Sequence, residues 1–387
     1  MALPEKLYKD TNLHIVFGIT LMAVMGVSSI TPTFPSIVKA LHLSSQSIGL
    51  LITVFTLPGV FLTPFFGILA DRIGRKKILI PALLLFALAG SSCAFTRNFS
   101  TLLLLRFVQG VGAASLGSLN VTLIGDLYTG KERTTAMGYN ASVLSVGTAS
   151  YPAIGGFLAT FGWFYPFLLP LAASPVGIAV VLFLDNPEPT KKQVFKEYLG
   201  KTRDSIKSYT VLALFLAAIV TFIMVYGSLL TYLPFLVDQS FGASPFIVGL
   251  ILAAMSVSTA VTSSLLGKIA RILSEKTLIK ISFVLYPLAL VMIPVIPVIH
   301  LLVVPVTIFG IAQGLNIPSI QTVLAGYAPL EQRAAFMSFY GMVLRLGQTM
   351  GPIIMGVVFV AWGISTVFYV GACFSVGMVV IAVAFIT

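Results

Sequence analysis

The sequence predicts an all-α integral membrane protein of twelve transmembrane helices, arranged as two six-helix bundles related by a parallel pseudo-twofold axis. Three observations predict it. Hydrophobic residues make up 58% of the 387 and charged residues 9%, against about 45–50% and about 25% in a soluble domain. The apolar residues lie in continuous runs of about 20, the length that crosses a bilayer as a helix. Such runs do not alternate as barrel strands do, and lipid leaves the backbone no other structure. Third, the second half of the chain echoes the first: Gly49, Gly67, Gly147, Pro152 and Gly156 recur as Gly249, Gly267, Gly347, Pro352 and Gly356.

The spans follow in order. Met1–Asp10 is short and charged. The run after it, 13–36, is too long for a signal-peptide core and is expected as a retained first span. The second, 47–70, leads into the charged stretch Asp71–Lys77, and the third is 78–96. Arg97 and Asn98 precede the fourth, 101–125. Lys131, Glu132 and Arg133 precede the fifth, 134–160, and a few residues separate that from the sixth, 163–184. Asn186–Ser208 is the longest polar stretch. It is read as a solvated linker, 186–208, between bundles at 1–185 and 209–387. The second bundle holds 209–236, 246–270, 277–297, 300–325, 334–360 and 363–386.

Charge sets the orientation. With a cytoplasmic N-terminus, Lys39 and Arg97 fall outside and Arg106 and Arg345 lie within spans. The rest of the 23 Lys and Arg fall inside, as the positive-inside bias requires. The expectation is a multi-pass protein of the cell (inner) membrane with both termini cytoplasmic. The net charge of +11 is then topology in a lipid bilayer, with no nucleic-acid partner. Cys93 and Cys373 fit no metal-site spacing, and neither a phosphate-binding loop, an HExxH pair nor a nucleophile elbow is present. No enzyme, cofactor or metal is expected.

After the second span come Gly67-Ile68-Leu69-Ala70-Asp71-Arg72-Ile73-Gly74-Arg75-Lys76-Lys77. Gly67 allows close helix packing, and Gly74 suits a tight turn with positive φ. Asp71 and Asp126 are both carboxylates that can pair with Arg75, as a charge latch that holds one conformation and releases in the other. The stretch closely resembles the signature loop of the major facilitator superfamily, and the resemblance covers essentially the whole chain. A weaker copy, Gly267-Lys268-Ile269-Ala270-Arg271, lacks the Asp. Arg106-Phe107-Val108-Gln109-Gly110 looks like the superfamily's span-four motif. Gly147 through Gly156, including Tyr151-Pro152, is similar to the Gly-Pro motif of the drug/proton antiporter branch. Tyr151 stands where that motif has Gly, whereas the span-eleven copy keeps Gly351-Pro352.

An ionisable residue within a span is costly and marks function. Arg106 shares a helical stripe with Gln109, Ala113, Gly117 and Asn120, which reads as a gating, proton or substrate contact. Arg345 stands near the membrane midplane in a stripe with Ser338, Gly341, Gln348, Thr349 and Pro352, and its counterpart in the first half is Ser145. It is the leading candidate for substrate recognition or coupling. None of the 12 acidic residues falls mid-span. By analogy with the family, the cavity draws on spans one, four, seven and ten, which nominates Ser28, Ser29, Asn120, Thr221, Ser228, Tyr232, Gln313, Asn316 and Gln321. Asn140 and Tyr340 occupy equivalent places in spans five and eleven.

The resemblance implies a secondary transporter, a monomer working by alternating access. The motifs favour efflux of small lipophilic or amphipathic molecules in exchange for protons. The alternative is an organic-anion transporter, working by uptake or exchange, with Arg345 as the anion-binding residue, which the missing mid-membrane acid favours.

Overall fold

The computed structural model describes residue 7 and residues 9–185, 208–327 and 333–386. It gives the side chains of all these except 68, 71, 333–335 and 338. Among the described residues, twelve long helices follow one another in sequence order. The first, α1, spans Thr11–Leu41; it is α-helical to Ser28, passes through a 3-10 turn at Thr31–Thr33 and resumes at Phe34. Then come α2 (Leu50–Ile73), α3 (Arg75–Ser92), α4 (Phe99–Leu127), α5 (Gly130–Phe161) and α6 (Tyr165–Phe183). The second bundle holds α7 (Tyr209–Phe241), α8 (Pro245–Ile269), α9 (Glu275–Met292), α10 (Val303–Tyr327), α11 (Arg333–Trp362) and α12 (Ile364–Phe385). Eleven of the twelve are apolar enough to cross a membrane by length and composition. The remaining one, α3, carries Arg75, Lys76 and Lys77 in its first turn and packs between α4 and α6. The linker expected at 186–208 lies outside the described residues except for Ser208.

Lipid gives apolar side chains no reason to prefer protein, so helices in a bilayer meet through small residues and hydrogen bonds. Both are visible here. Gly110 of α4 lies against the backbone of Phe55 on α2, where a Cβ would stand 2.9 Å from the carbonyl carbon. Gly314 of α10 makes the matching approach to α8, a would-be Cβ lying 2.7 Å from the carbonyl oxygen of Thr259. Gly74 alone joins α2 to α3, at φ 100°, a left-handed conformation that only glycine adopts cheaply.

The first helix of each half is irregular at the same place. In α1 the 3-10 turn occupies Thr31–Thr33. In α7 a π-helical stretch runs over Met224–Tyr232, and the Thr231 hydroxyl donates to the Tyr226 carbonyl at 2.6 Å, closing the widened turn. Hydroxyls take up the carbonyls that such turns release, as lipid requires.

The two bundles meet through α2 with α11 and α5 with α8. At one end these pairs touch closely. A Cβ on Gly49 would lie 3.0 Å from Pro352 Cβ, and Gly249 abuts the backbone of Pro152 and Ala153. These two contacts exchange under the pseudo-twofold. At the opposite end, which carries Arg75, Lys131 and Lys268, a Cβ on Gly67, Gly138, Gly267 or Gly341 would meet no described atom within 4 Å. Among the described residues, nothing packs against Gly67 in this conformation. The bundles are closed at the Lys39 end and diverge toward the basic end.

Overpacking a helix contact costs about 1–3 kcal/mol. Gly110→Ala should therefore lower the thermal unfolding midpoint in detergent by several degrees. Gly67→Ala, which meets open space, should leave it unchanged or raise it.

Candidate functional site

The site is built at the apex of the wedge between the bundles. Arg345 projects from α11 across the interface, past Gly59 of α2, toward Gly117 of α4. A Cβ on Gly59 would lie 3.1 Å from Arg345 Cδ and 3.2 Å from Nε, and one on Gly117 would lie 3.6 Å from Nη2. Two glycines of the first half thus form a slot for a cation of the second. Arg345 Nη1 donates to Gln348 Oε1 at 3.1 Å, one helical turn on. Arg345 is half-buried whereas Gln348 is buried. Tyr226, in the π-helical stretch of α7, lies within electrostatic reach of the guanidinium and is also half-buried. Tyr226 was not among the residues singled out in the sequence. The only available sign was its place in the irregular first helix of the second half, and widened turns gather at functional positions.

Just above Arg345 the interface is tied by hydroxyls. Thr53 donates to the Thr349 carbonyl at 3.1 Å, and the Thr56 and Thr349 hydroxyls pair at 2.9 Å. Thr349 in turn donates to the Arg345 carbonyl at 2.8 Å. At the rim of the closed end, Lys39 on α1 and Asp238 on α7 form an ion pair of 2.8 Å across the bundles.

Arg106 sits elsewhere. It is 1% exposed, within the first bundle and away from the open wedge, which departs from the gating or substrate contact its stripe suggested. Its Nε donates to the Leu51 carbonyl at 3.2 Å, its Nη1 donates to Gln109 Oε1 at 2.7 Å, and its guanidinium lies 4.2 Å over the Phe55 ring. It ties α4 to α2, just above the Gly110 approach.

The polar candidates divide into two related clusters. Thr20 of α1 donates to Asn140 of α5 at 2.6 Å and accepts from Asn120 of α4 at 2.8 Å. In the second half Asn316 of α10 donates to Thr221 of α7 at 2.7 Å and to Tyr286 of α9 at 3.4 Å. Asn120, Asn140, Asn316, Thr221 and Tyr340 are all buried, so these clusters bind helices within each bundle. Tyr340 lies near Gln321 without a hydrogen bond of good geometry. Gln321 is exposed and Gln313 half-buried, reached by the Thr259 hydroxyl at 3.5 Å. Tyr232 is fully buried, stacked on Phe359 at 5.1 Å in the closed end, apart from the wedge. Ser29 donates to the Met25 carbonyl and Ser228 to that of Val367, at 2.8 and 3.2 Å. Ser28 is half-buried on α1.

The Gly-Pro segments have two working faces each. In α11, Gly347 and Gly351 lie on α7, with would-be Cβ atoms 2.7 Å from the Ile219 carbonyl oxygen and 3.0 Å from the Gly227 nitrogen, while Pro352 faces Gly49 across the bundles. In α5, Gly147 lies on α1 beside Leu21, and Pro152 faces Gly249. Tyr151 replaces the glycine that would touch α1, and the backbone approach moves one turn on, to Gly155 against Ser29. Tyr151 itself is buried.

At the basic end Arg75 Nε donates to Asp126 Oδ2 at 3.0 Å, joining α3 to the end of α4. Of the two carboxylates named for the latch, Asp126 makes this pair; the side chain of Asp71 lies outside the described residues. Arg72, one residue on from Asp71, is exposed.

A family model described as Major Facilitator Superfamily matches residues 16–240 and 236–387, and the chain belongs to that superfamily. It is a multi-pass integral membrane transporter of this fold. It is 29% identical over 91% of its length to 89% of "Multidrug resistance protein 2" of Bacillus subtilis (strain 168). It is 26% identical over 88% of its length to 88% of the "Bacillibactin exporter" of the same strain. Among solved structures, the nucleoside transporter NupG superposes with TM-score 0.78 at 16% identity, each chain covered in full, which shows the fold.

The Lys39–Asp238 pair predicts a charge-swap result. Lys39→Asp should raise maleimide labelling of a cysteine placed at Thr53, in a background lacking Cys93 and Cys373, and adding Asp238→Lys should return it toward the starting rate. Exposed pairs contribute about 0.2–1 kcal/mol, so the expected change is on the order of 1.5- to 5-fold.

Proposed function

We propose that this chain exports small amphipathic molecules across the cell membrane by alternating access, in exchange for protons, as a monomer with its basic end and both termini in the cytoplasm. The observation that carries the reading is the wedge itself. It opens at the basic end, is sealed by paired Gly–Pro contacts at the other, and holds the half-buried Arg345 and Tyr226 at its apex. The basic end meets the positive-inside bias when it faces the cytoplasm, so a molecule enters the wedge from the cell interior or the inner leaflet. The printed functions of the two relatives, multidrug resistance and export, support the outward direction.

In this account the residues divide by role. Arg345 and Tyr226, with Gln313 and Gln321 as further candidates, meet the substrate, and Gln348 holds the Arg345 guanidinium. Gly49 with Pro352 and Gly249 with Pro152 form the seal that opens. Arg75 and Asp126 hold the basic rim, together with Asp71, Arg72, Gly67 and Gly74 of the signature loop. The acids placed by the sequence stand at helix ends, so protonation acts at the rim, with Asp126 as the proposed carboxylate. Neutralising Asp126 weakens its pair with Arg75, a change we couple to closure of the basic end.

The test is accumulation of three dyes in a host stripped of its own pumps: Nile red (neutral), ethidium (cationic) and fluorescein (acidic). The chain should lower the steady-state level of at least one dye several-fold, and a protonophore should restore it. Equal accumulation of all three with and without the chain would end the export reading. Asp126→Asn should slow that export several-fold while leaving the affinity for the exported dye within about 2-fold, since the pair lies at the rim and not at the apex.

A further inference from the structure

We infer that the molecules this wedge accepts are organic acids: amphipathic compounds whose single carboxylate is held by Arg345. The inference rests on the export reading above and names the substrate class of the same site. It begins with the charges that face the apex. The described carboxylates nearest the bundle interior, Asp126 and Asp238, are already paired at opposite rims with Arg75 and Lys39. The other described acids with side chains present, Asp10, Glu132, Asp185 and Glu275, stand at helix starts or ends. Among the described residues the guanidinium of Arg345 has one hydrogen-bond partner, the neutral amide of Gln348.

A cation in that position is solvated while the wedge is open. When the basic end closes, the water leaves, and a desolvated charge without a counter-charge is costly. A cationic guest would add a second positive charge beside the first. A carboxylate would remove the mismatch, and its planar pair of oxygens suits the donor fork of arginine. The polar demand is for one negative charge, since one arginine serves the apex.

The slot explains how such a guest acts on both halves. The stem of Arg345 threads past Gly59 and its head reaches Gly117, so an acid bound to Nη2 stands at the first bundle while attached to the second. Gln348, one turn along α11, orients the head from below the Thr53–Thr349 tie. It is a positioning residue, and Tyr226 lies within electrostatic reach of the guanidinium.

The experiment measures binding to the purified full chain in lipid nanodiscs, using three probes of one shape: 2-naphthoate, 2-naphthamide and 2-naphthylmethylammonium. Wild type should bind 2-naphthoate at least tenfold more tightly than the other two. Arg345→Gln should erase that preference while keeping weak 2-naphthamide binding, and Arg345→Lys should recover part of it. Gly59→Ala keeps every charge but crowds the arginine stem, and should reduce the preference several-fold. Tighter binding of 2-naphthylmethylammonium, a preference that survives Arg345→Gln, or no measurable 2-naphthoate binding would each overturn the inference. Export of ethidium that is indifferent to Arg345→Gln would also overturn it while leaving the export reading intact. Failure of all three dyes to be exported would remove the export reading instead.

Discussion

At Gly49 against Pro352 and at Gly249 against Pro152, the two bundles touch with no side chain longer than a pyrrolidine ring between them. Everything else about the interface depends on that closeness. Because the backbones approach directly, the hydroxyls of Thr53, Thr56 and Thr349 can bridge the bundles, and Arg345 can reach the far half through a slot with no Cβ in it. The same contact repeated by pseudo-symmetry on both sides of the axis seals the closed end along one line. Two bundles joined along one end by paired small contacts can rock, and packed helices change between discrete arrangements more readily than they deform.

Rocking requires that each bundle move as a body. In lipid that rigidity comes from hydrogen bonds and close backbone packing. Thr20 with Asn120 and Asn140 clamps α1, α4 and α5; Thr221 with Asn316 and Tyr286 clamps α7, α9 and α10. Arg106, sealed over Phe55, does the same for α2 and α4. A membrane-buried charge usually advertises function, and in this structure Arg106 joins two helices of one bundle. Arg345, half-open to the wedge, carries the functional reading.

Much of this was legible in the chain. The spans showed because bilayer thickness dictates their length, and the repeat showed because Gly and Pro positions are fixed by backbone approach, which tolerates little substitution. What the repeat did not reveal is that its matched residues are each other's partners: Gly49 meets the mate of Pro152, and Gly249 meets Pro152 itself. Polarity alone overstated the site. Asn120, Asn140, Asn316 and Tyr232 are polar residues on cavity helices, yet a hydrogen-bonded helix contact and a substrate contact call for the same side chains. Which way each helix is turned depends on the packing. Tyr226 was missed for the converse reason. A tyrosine in an apolar helix reads as core until the structure places it within electrostatic reach of Arg345. Gly67 was read as a packing residue, and in this conformation it faces open space.

The central claim is that the two ends open and close in opposition about the apex of the wedge, the Gly–Pro seal parting as the basic end shuts. Pulsed electron spin resonance distances test it most directly. One pair of labels would replace Ser44 and Ser244 at the closed end, and another Lys131 and Lys268 at the basic end, all four being exposed. On shifting the protein in nanodiscs from low to high pH, or on adding 2-naphthoate, the account predicts that one distance lengthens as the other shortens. Distances that change together, or a basic-end distance that changes while the closed end stays fixed, would contradict it.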